Sequence, residues 1–150
     1  MYRSPLGDIV LTSDGLALTG LRFAEATSGE QAQDIPPLAD ACRWLDLYFG
    51  GAIPDFTPRL APQGTPFQQS VWREILAIPY GHTVSYGYIA QRLRCRSAQA
   101  VGGAVGRNPI ALIIPCHRVI GSNGQLTGYA YGLDRKQWLL SHETQHIGKP

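Results

Sequence analysis

The segment SYGYIAQRLRCRSAQAVGGAVG, residues 85–106, decides the fold of the C-terminal half of this chain. Ser85 and Ser97 stand where helix N-caps are expected, so the segment predicts short helices over 86–93 and 98–106. The basic turn 94–96 joins them. Two short helices connected by a tight turn form a helix-turn-helix pattern, which occurs in DNA-binding proteins and also in ordinary helix packing.

The second predicted helix is rich in small residues, with Gly102, Gly103 and Gly106 among alanines. Each glycine costs about 1 kcal/mol of helix stability relative to alanine, so something must require a slim helix. Close packing on the protein's own strand is one explanation, and close approach to a nucleic-acid groove is the other. Because only Gln99 and Arg107 are suited to base reading, the pattern favours shape-dependent binding in a narrow groove.

Charge is distributed unevenly along the 150 residues, although the net charge is only +2. Residues 1–74 hold five basic and nine acidic side chains, whereas residues 75–150 hold eight basic and two acidic ones. Such asymmetry is typical of a protein whose basic half, here residues 75–150, binds a polyanion. Charge alone leaves a solvated basic surface open as the alternative.

The N-terminal part of the chain predicts a small antiparallel sheet followed by one helix. Residues 8–12 and 16–23 are strand candidates joined by a turn at 13–15. A helix is predicted from about Pro37 to the glycine pair 50–51. Its apolar stripe consists of Leu38, Cys42, Leu45 and Phe49, in which Cys42 is expected to be a buried small apolar residue.

A proline-containing linker at about 51–64 separates two predicted lobes, residues 1–64 and 65–150. The second lobe opens on a capping box of Thr65 and Gln68. The stripe of the helix that follows consists of Phe67, Val71, Ile75 and Ile78. The fold class is therefore α/β in the α+β sense, with sheet and helices segregated along the chain.

The last predicted helix runs from about Asp134 to His142, with Trp138 and Leu139 in its core and Glu143 closing it. Before it, a hairpin is expected over 118–129 around the turn Ser122-Asn123-Gly124.

A thiol with an imidazole beside it marks the chemical centre of the sequence. The apolar run 111–114 predicts a buried strand that Pro115 ends, and Cys116, His117 and Arg118 follow at once. A thiol becomes a strong nucleophile when a proton acceptor or a positive field is near, which the last two residues could supply. Since strand neighbours alternate in direction, proton transfer between them would pass through a water. A buried, inert cysteine is the alternative.

Several classes of protein are excluded or disfavoured by the remaining pattern. The three cysteines are far apart and predict free thiols. They lack the spacing of cysteine metal ligands. A metal site at His142 and His146 is also disfavoured, because this pair has no obvious third ligand and is predicted to lie at a solvated helix end. Phosphate-loop and dinucleotide fingerprints are missing, so neither a metal nor a cofactor is expected. No apolar run approaches the ~20 residues of a membrane span, and the N-terminus lacks a signal-peptide pattern, which predicts a cytoplasmic protein without membrane contact.

The motif IPCHRV, residues 114–119, makes the sequence resemble the O6-alkylguanine-DNA alkyltransferases. The resemblance is dense from Thr65 to Glu143, and looser in the first lobe through SPLG at 4–7 and LDLYF at 45–49. The flanking motifs of the second lobe are VGGA at 101–104, NP at 108–109, TGY at 127–129 and WLLSHE at 138–143. The family fold implies a ribonuclease H-like first lobe and a winged-helix-like second lobe.

The resemblance implies a single-use DNA-repair reaction. Members flip the damaged base out through the minor groove and transfer the alkyl group of O6-alkylguanine, and of O4-alkylthymine, to the cysteine, here Cys116. His117 would deprotonate this thiol through a water, and Glu143 would orient the imidazole. Tyr86 would help to rotate the nucleotide, and Asn108 would tie the recognition helix to the active-site turn.

The same resemblance assigns the binding residues. The substrate pocket would be formed by Pro115, Val119, Tyr129, Ala130 and Tyr131. The DNA contacts would come from Ser85, Arg94, Arg96, Ser97, Gln99, Ala100, Gly103, Arg107 and Arg118. The expected partner is double-stranded DNA containing O6-alkylguanine, bound by a monomer, with cooperative loading left open.

Two positions depart from the family pattern. Gln99 stands where the family has an arginine that enters the base stack, which puts efficient flipping in doubt. Tyr131 stands where the family has a glycine, which puts bulky substrates in doubt.

Two other functions compete with alkyl transfer. A non-catalytic sensor of alkylated DNA would recruit other repair proteins; known sensors lack the cysteine, so Cys116 disfavours it while Gln99 leaves it open. A transcription regulator is disfavoured because the second helix of the motif lacks base-reading side chains.

Overall fold

Five α-helices and two small sheets make up the residues that this computed structural model describes, which are 2–24, 35–121, 124 and 128–147. The chain divides into two compact units. The first contains residues up to Gln63 together with Pro109–Ala111, and the second contains Gly64–Asn108 and Leu112–Ile147. No described helix is long and apolar enough to cross a membrane.

The sheet of the first unit is antiparallel, in the order β1 (Tyr2–Ser4), β2 (Gly7–Ser13), β3 (Leu18–Phe23). The two predicted strands are confirmed, and the short β1 is an addition to them. Alternate side chains of β2, and of β3 from Leu21 onward, enter the core, as the period of two requires. Leu18 also enters the core, because the register shifts by one residue opposite Thr12 and Ser13. These core residues are Ile9, Leu11, Leu18, Leu21 and Phe23.

Helix α1 (Pro36–Phe49) packs on this sheet and confirms the predicted helix. Prolines occupy its first turn, where a missing N–H costs no hydrogen bond, and Gly50 caps its end. The buried face differs from the predicted stripe, because Cys42 and Phe49 are only half-buried. Trp44 and Tyr48 fill the core instead, and their rings stack with centroids 5.2 Å apart. Each lies one position before a residue of the predicted stripe, because the buried face of a globular helix is wider than a single stripe.

Two segments outside the strands pair with β3 within the first unit. Leu18 bonds to the linker, accepting from Ala61 N and donating to Arg59 O, both at 2.8 Å. Leu21 bonds in the same way to residues 109–111. The predicted boundary at 64 places that second segment in the C-terminal lobe, whereas it lies in the first unit.

Helix α2 (Pro66–Leu76) opens the second unit with the predicted capping box. Gln68 N donates to Thr65 Oγ1 at 3.1 Å, and Thr65 N donates to Gln68 Oε1 at 2.9 Å. Phe67 was expected in the core and is 38% exposed. Trp72 is buried instead, and its indole N–H donates to Ala104 O at 2.9 Å, which joins α2 to the helix-turn-helix.

The helix-turn-helix is confirmed with its caps. Helix α3 (Tyr86–Arg92) begins at Ser85, whose Oγ accepts from Tyr88 N at 3.0 Å, and Leu93 forms its half-buried C-cap. Helix α4 (Ala98–Gly106) begins at Ser97. The short strands β4 (Val84–Ser85) and β5 (Val119–Ile120) form a parallel pair beside these helices.

The predicted strand at 111–114 is wrong. These residues are buried, as their apolar character requires, but they form a turn in which Leu112 has a φ of 69°. The run lies between Pro109 and Pro115, and neither proline can donate a ladder hydrogen bond. The chain then enters a 3-10 turn, Cys116–Arg118.

Helix α5 (Leu133–His146) ends four residues beyond the prediction, so Glu143 lies within it. Leu139 is buried as expected, while Trp138 is half-buried and stacks on His142 at 4.8 Å. That histidine is itself buried, so a solvated helix end at His142 is wrong. Most of the predicted hairpin turn and its second strand lie outside the described residues.

Candidate active site

Cys116 lies in the wall of a cavity of about 450 Å³ within the second unit. The thiol residue is only 6% exposed, at the start of the 3-10 turn. Other lining residues come from the start of α3, the C-terminal half of α4 and the segment before α5. They are Tyr86, Gly102, Val105, Gly106, Asn108, Gly128, Tyr129, Ala130 and Tyr131.

Three of the five predicted pocket residues line this cavity, and two do not. Pro115 and Val119 are buried beside the cysteine turn without lining the described cavity, because a 3-10 turn directs neighbouring side chains differently from a strand. Tyr129 and Tyr131 meet edge to face with ring centroids 5.6 Å apart. The two rings therefore form one aromatic wall of the cavity.

Asn108 joins α4 to the cysteine turn. Its Nδ2 donates to Ile114 O at 2.8 Å, and its side chain also hydrogen-bonds the Cys116 thiol. The residue is 8% exposed, so these bonds form away from water. The expected link between helix and turn is thus present in the structure.

Burial dominates the electrostatics of the thiol and raises the pKa of Cys116. Asn108, Lys136 and nearby backbone N–H groups oppose this shift without cancelling it. At neutral pH the resting group is therefore a thiol, and it needs a proton acceptor before it can attack as a thiolate.

His117 and Glu143 form a buried pair, 0% and 1% exposed, with Nε2 and Oε2 2.5 Å apart. Burial would raise the pKa of Glu143, but hydrogen bonds and charges from His117 and Arg118 outweigh it and hold that pKa well below its usual range. An ionised carboxylate only accepts hydrogen bonds, so Nε2 carries the proton. Nδ1 is then the acceptor atom, and it has no hydrogen-bond partner among the described residues.

The expected role of Arg118 as a DNA contact is wrong. The residue is 7% exposed, and its guanidinium turns inward. Nε donates to Glu143 Oε1 at 2.8 Å, Nη2 to Oε2 at 3.1 Å, and Nη1 to Ile78 O at 2.8 Å. A basic residue next to the cysteine suggests a surface contact from sequence alone, but its acidic partner lies 25 residues along the chain.

Lys136 is a site residue that sequence reasoning missed. It is fully buried, and its Nζ donates to Val119 O at 2.6 Å and to Gly128 O at 3.4 Å. The ammonium thereby ties the segment after the cysteine turn to the segment that lines the cavity. Its spacing from Leu139 and Glu143 on one face of α5 is the signal that could have revealed its burial.

The other predicted contact residues belong to the helix-turn-helix and its caps, and most of them are exposed. Among them, Gln99, Ala100, Arg94, Arg96, Ser97, Gly103 and Arg107 are exposed, and Ser85 is half-buried. Ser85 and Ser97 use their hydroxyl oxygens as helix caps. A shallow cleft of about 660 Å³ runs between α3 and α4, lined by Tyr86, Gly87, Ala98, Gln99, Gly102 and Gly103.

The glycines of α4 face open space. A Cβ added at Gly103 or Gly106 would meet no described atom within 4 Å, and at Gly102 it would approach only the Tyr86 ring, at 3.8 Å. Close packing within the unit therefore does not explain the slim helix.

The described residues contain no cluster of three or more histidine, cysteine, aspartate or glutamate side chains that could hold a metal ion.

Two family models together match most of the chain. The ribonuclease-like domain of 6-O-methylguanine DNA methyltransferase matches residues 1–62, and the DNA binding domain of the same family matches residues 66–145. The chain belongs to the 6-O-methylguanine DNA methyltransferase family.

Similar proteins support this membership over nearly the full length. The methylated-DNA–protein-cysteine methyltransferase of Methanosarcina acetivorans is 44% identical, covering 95% of this chain and 96% of its own. That of Mycobacterium leprae is 45% identical, covering 96% and 90%. The crystal structure of Mycobacterium tuberculosis OGT in complex with DNA has a TM-score of 0.87 and 46% identity, covering 97% and 91%. The α+β fold of this methyltransferase, with a ribonuclease-like and a DNA-binding domain, is confirmed.

Proposed function

We propose that this protein repairs O6-alkylguanine in double-stranded DNA by moving the alkyl group onto Sγ of Cys116. The observation that carries the proposal is a thiol in a cavity wall whose sequence neighbour His117 is hydrogen-bonded through Nε2 to the buried carboxyl group of Glu143. As the Sγ–carbon bond forms, the O6–carbon bond breaks and its electron pair returns to guanine. The thiol proton passes to the imidazole, and the guanine anion takes up one proton at N1 from solvent. The imidazolium then returns its proton to solvent, so atoms and charge balance.

The proton path follows from the tautomer. Because Glu143 fixes the proton of His117 on Nε2, Nδ1 presents a lone pair for the thiol proton, through a bridging water. Tyr86 lines the cavity next to α4, where it supports rotation of the nucleotide and donates a hydrogen bond to the flipped base. Asn108 holds the cysteine turn against α4.

The product limits each molecule to one reaction. An alkylated cysteine is a thioether, which water does not displace, and no resident cofactor is proposed that would remove it. A protein whose acceptor is a free thiol needs a reducing compartment, and we therefore place it in the cytoplasm.

Intact mass after mixing with O6-methylguanine duplex separates transfer from lesion sensing. Transfer predicts a gain of one methyl group per protein molecule and no second gain with excess DNA. Tight binding with unchanged mass would instead establish the sensor function.

Salt should weaken DNA binding steeply, because the exposed arginines of the turn between α3 and α4, and the arginine that caps the end of α4, would meet phosphates. Replacing Arg94, Arg96 or Arg107 by glutamine should reduce the slope of log K against log salt by about 1 each. Fluorescence anisotropy on undamaged duplexes of several sequences measures this, with Arg43→Gln in the first unit as control. A flat salt dependence, or strong preference for one sequence, would refute the assignment of these contacts.

Tyr131 should restrict the size of the transferred group. Its ring forms the cavity wall with Tyr129, and a benzyl group needs the room that this ring occupies. Tyr131→Gly is expected to increase reaction with free O6-benzylguanine while methyl transfer changes less than a few-fold. Tyr88→Ala, an exposed tyrosine outside the cavity, is the matched control. Rapid benzyl labelling of the wild-type protein would show that the ring does not limit access.

Gln99 should support base flipping less well than an arginine. It is exposed on α4 at the cleft beside Tyr86, and its neutral, shorter side chain makes weaker bonds to an orphaned cytosine. Gln99→Arg is expected to raise the transfer rate on methylated duplex and to leave single strands, which have no stack to open, nearly unchanged. Equal gains on both substrates would mean that the arginine acts through general affinity instead.

A further inference from the structure

Arg118 is a buried cation for which neither DNA binding nor proton transfer supplies a role. Its three nitrogens face Glu143 and the carbonyl oxygen of Ile78, and the guanidinium carbon lies 5.5 Å from the centre of the Tyr80 ring. Burying a guanidinium is costly unless it is paired and fully hydrogen-bonded. Here the bidentate pair with Glu143 supplies the counter-charge, and the hydrogen bond to Ile78 O satisfies the third nitrogen.

The hydrogen bonds of Glu143 show what this pair does to the imidazole. Oε1 accepts from Gly81 N at 3.1 Å and from Arg118 Nε, and Oε2 accepts from His117 Nε2 and from Arg118 Nη2. The guanidinium is permanently charged and already balances the carboxylate. Without it, a protonated His117 would be the direct counter-ion of this buried charge.

We propose that Arg118 is a positioning residue of the transfer reaction, which neutralises Glu143 and so keeps His117 an uncharged imidazole with a lone pair on Nδ1. The inference rests on the proposed role of His117 as proton acceptor. A carboxylate alone would orient the imidazole, but it would also favour protonation of the imidazole at Nδ1, the atom that must accept the thiol proton. The positive charge of the guanidinium opposes this protonation, while the carboxylate still orients the ring.

The other titratable groups near His117 agree with this assignment. The Cys116 thiol, on the cysteine turn, is protonated. Burial raises the pKa of Tyr80, which precedes β4, to about 12, and it raises the pKa of Tyr129, which precedes α5, well above its usual value. These three groups are therefore neutral at pH 7. Burial is the main cause that lowers the pKa of His117. Glu143 opposes this shift, and Arg118 and the Lys136 ammonium of α5 add to it, so the pKa lies below its usual value.

Single-turnover rates of methyl transfer, measured from pH 5 to 9, test the proposal. With wild-type protein the rate should fall only at the acid end, where His117 becomes protonated. In Arg118→Gln the midpoint of this fall should move up by about one pH unit, because a nearby cation is lost. Arg118→Lys should return it toward the wild-type position. Arg43→Gln, which breaks an exposed ion pair with Asp40 in the first unit, is the matched control and should leave the profile unchanged.

The failures of the two proposals are distinguishable. If the wild-type protein gains no methyl group at any pH, the proposed function fails. If His117→Gln keeps the wild-type rate and profile, transfer stands, but the histidine is not the proton acceptor and the role of Arg118 falls with it. If His117→Gln loses activity but Arg118→Gln keeps the wild-type midpoint, only the role of Arg118 is overturned. Should Arg118→Gln not fold, nitrogen NMR of the wild-type imidazole decides: we expect neutral His117 protonated on Nε2 at pH 7, and an imidazolium there would overturn the proposal.

Discussion

Cys116→Ser is expected to abolish methyl transfer and to leave DNA binding nearly unchanged. A serine hydroxyl has a far higher pKa than a thiol, so the same imidazole does not convert it into an effective nucleophile at neutral pH. The side chain is buried in a cavity wall whose described lining contains no arginine, so the affinity for DNA should not depend on it. Transfer is measured with labelled O6-methylguanine duplex, and affinity is measured by anisotropy on the same duplex.

The other two cysteines provide matched controls for this substitution. Cys42 and Cys95 are free and half-buried, and neither lines the described cavity. Cys42→Ser and Cys95→Ser should therefore keep the wild-type transfer rate. Transfer near the wild-type rate in Cys116→Ser would mean that another thiol is the acceptor.

Glu143→Gln is expected to slow transfer about 100-fold, the scale of a lost general base. A neutral amide no longer fixes the Nε2 proton of His117, and its NH₂ group would face donors from Arg118 or Gly81. The substitution should also lower the melting temperature, since it leaves buried donors unsatisfied. Affinity for DNA should change much less than the rate.

The control for Glu143→Gln is Glu74→Gln, which removes a half-exposed carboxylate paired with Arg92. Stability is separated from chemistry by measuring the rate well below the melting temperature of each variant. A wild-type rate in folded Glu143→Gln would show that the carboxylate does not take part in the proton path.

Local rules predicted the scaffold that carries the site. The caps at Ser85, Ser97 and Thr65 act over three residues, and each was confirmed. The spacing of apolar side chains similarly indicated α1 and α5, although the largest buried side chains were displaced by one position from the predicted stripe of α1. These features depend on neighbours in sequence, so a single sequence contains them.

Tertiary contacts determined what the sequence did not show. The apolar residues 111–114 suggested a strand, but they lie between two prolines and form a buried turn. Arg118 and Lys136 look like surface cations in a basic half of the chain. Their partners, Glu143 and the carbonyl of Val119, lie 25 and 17 residues away, and only the folded chain brings them together.

The identity of the acceptor atom is tested most directly by locating the transferred group. Wild-type protein is mixed with a slight excess of O6-methylguanine duplex, digested, and its peptides are sequenced by tandem mass spectrometry. We predict one methyl group on the peptide that contains Cys116, with Cys42 and Cys95 unmodified. A methyl group on either of those cysteines, or on no residue while the lesion is still bound, would contradict the account.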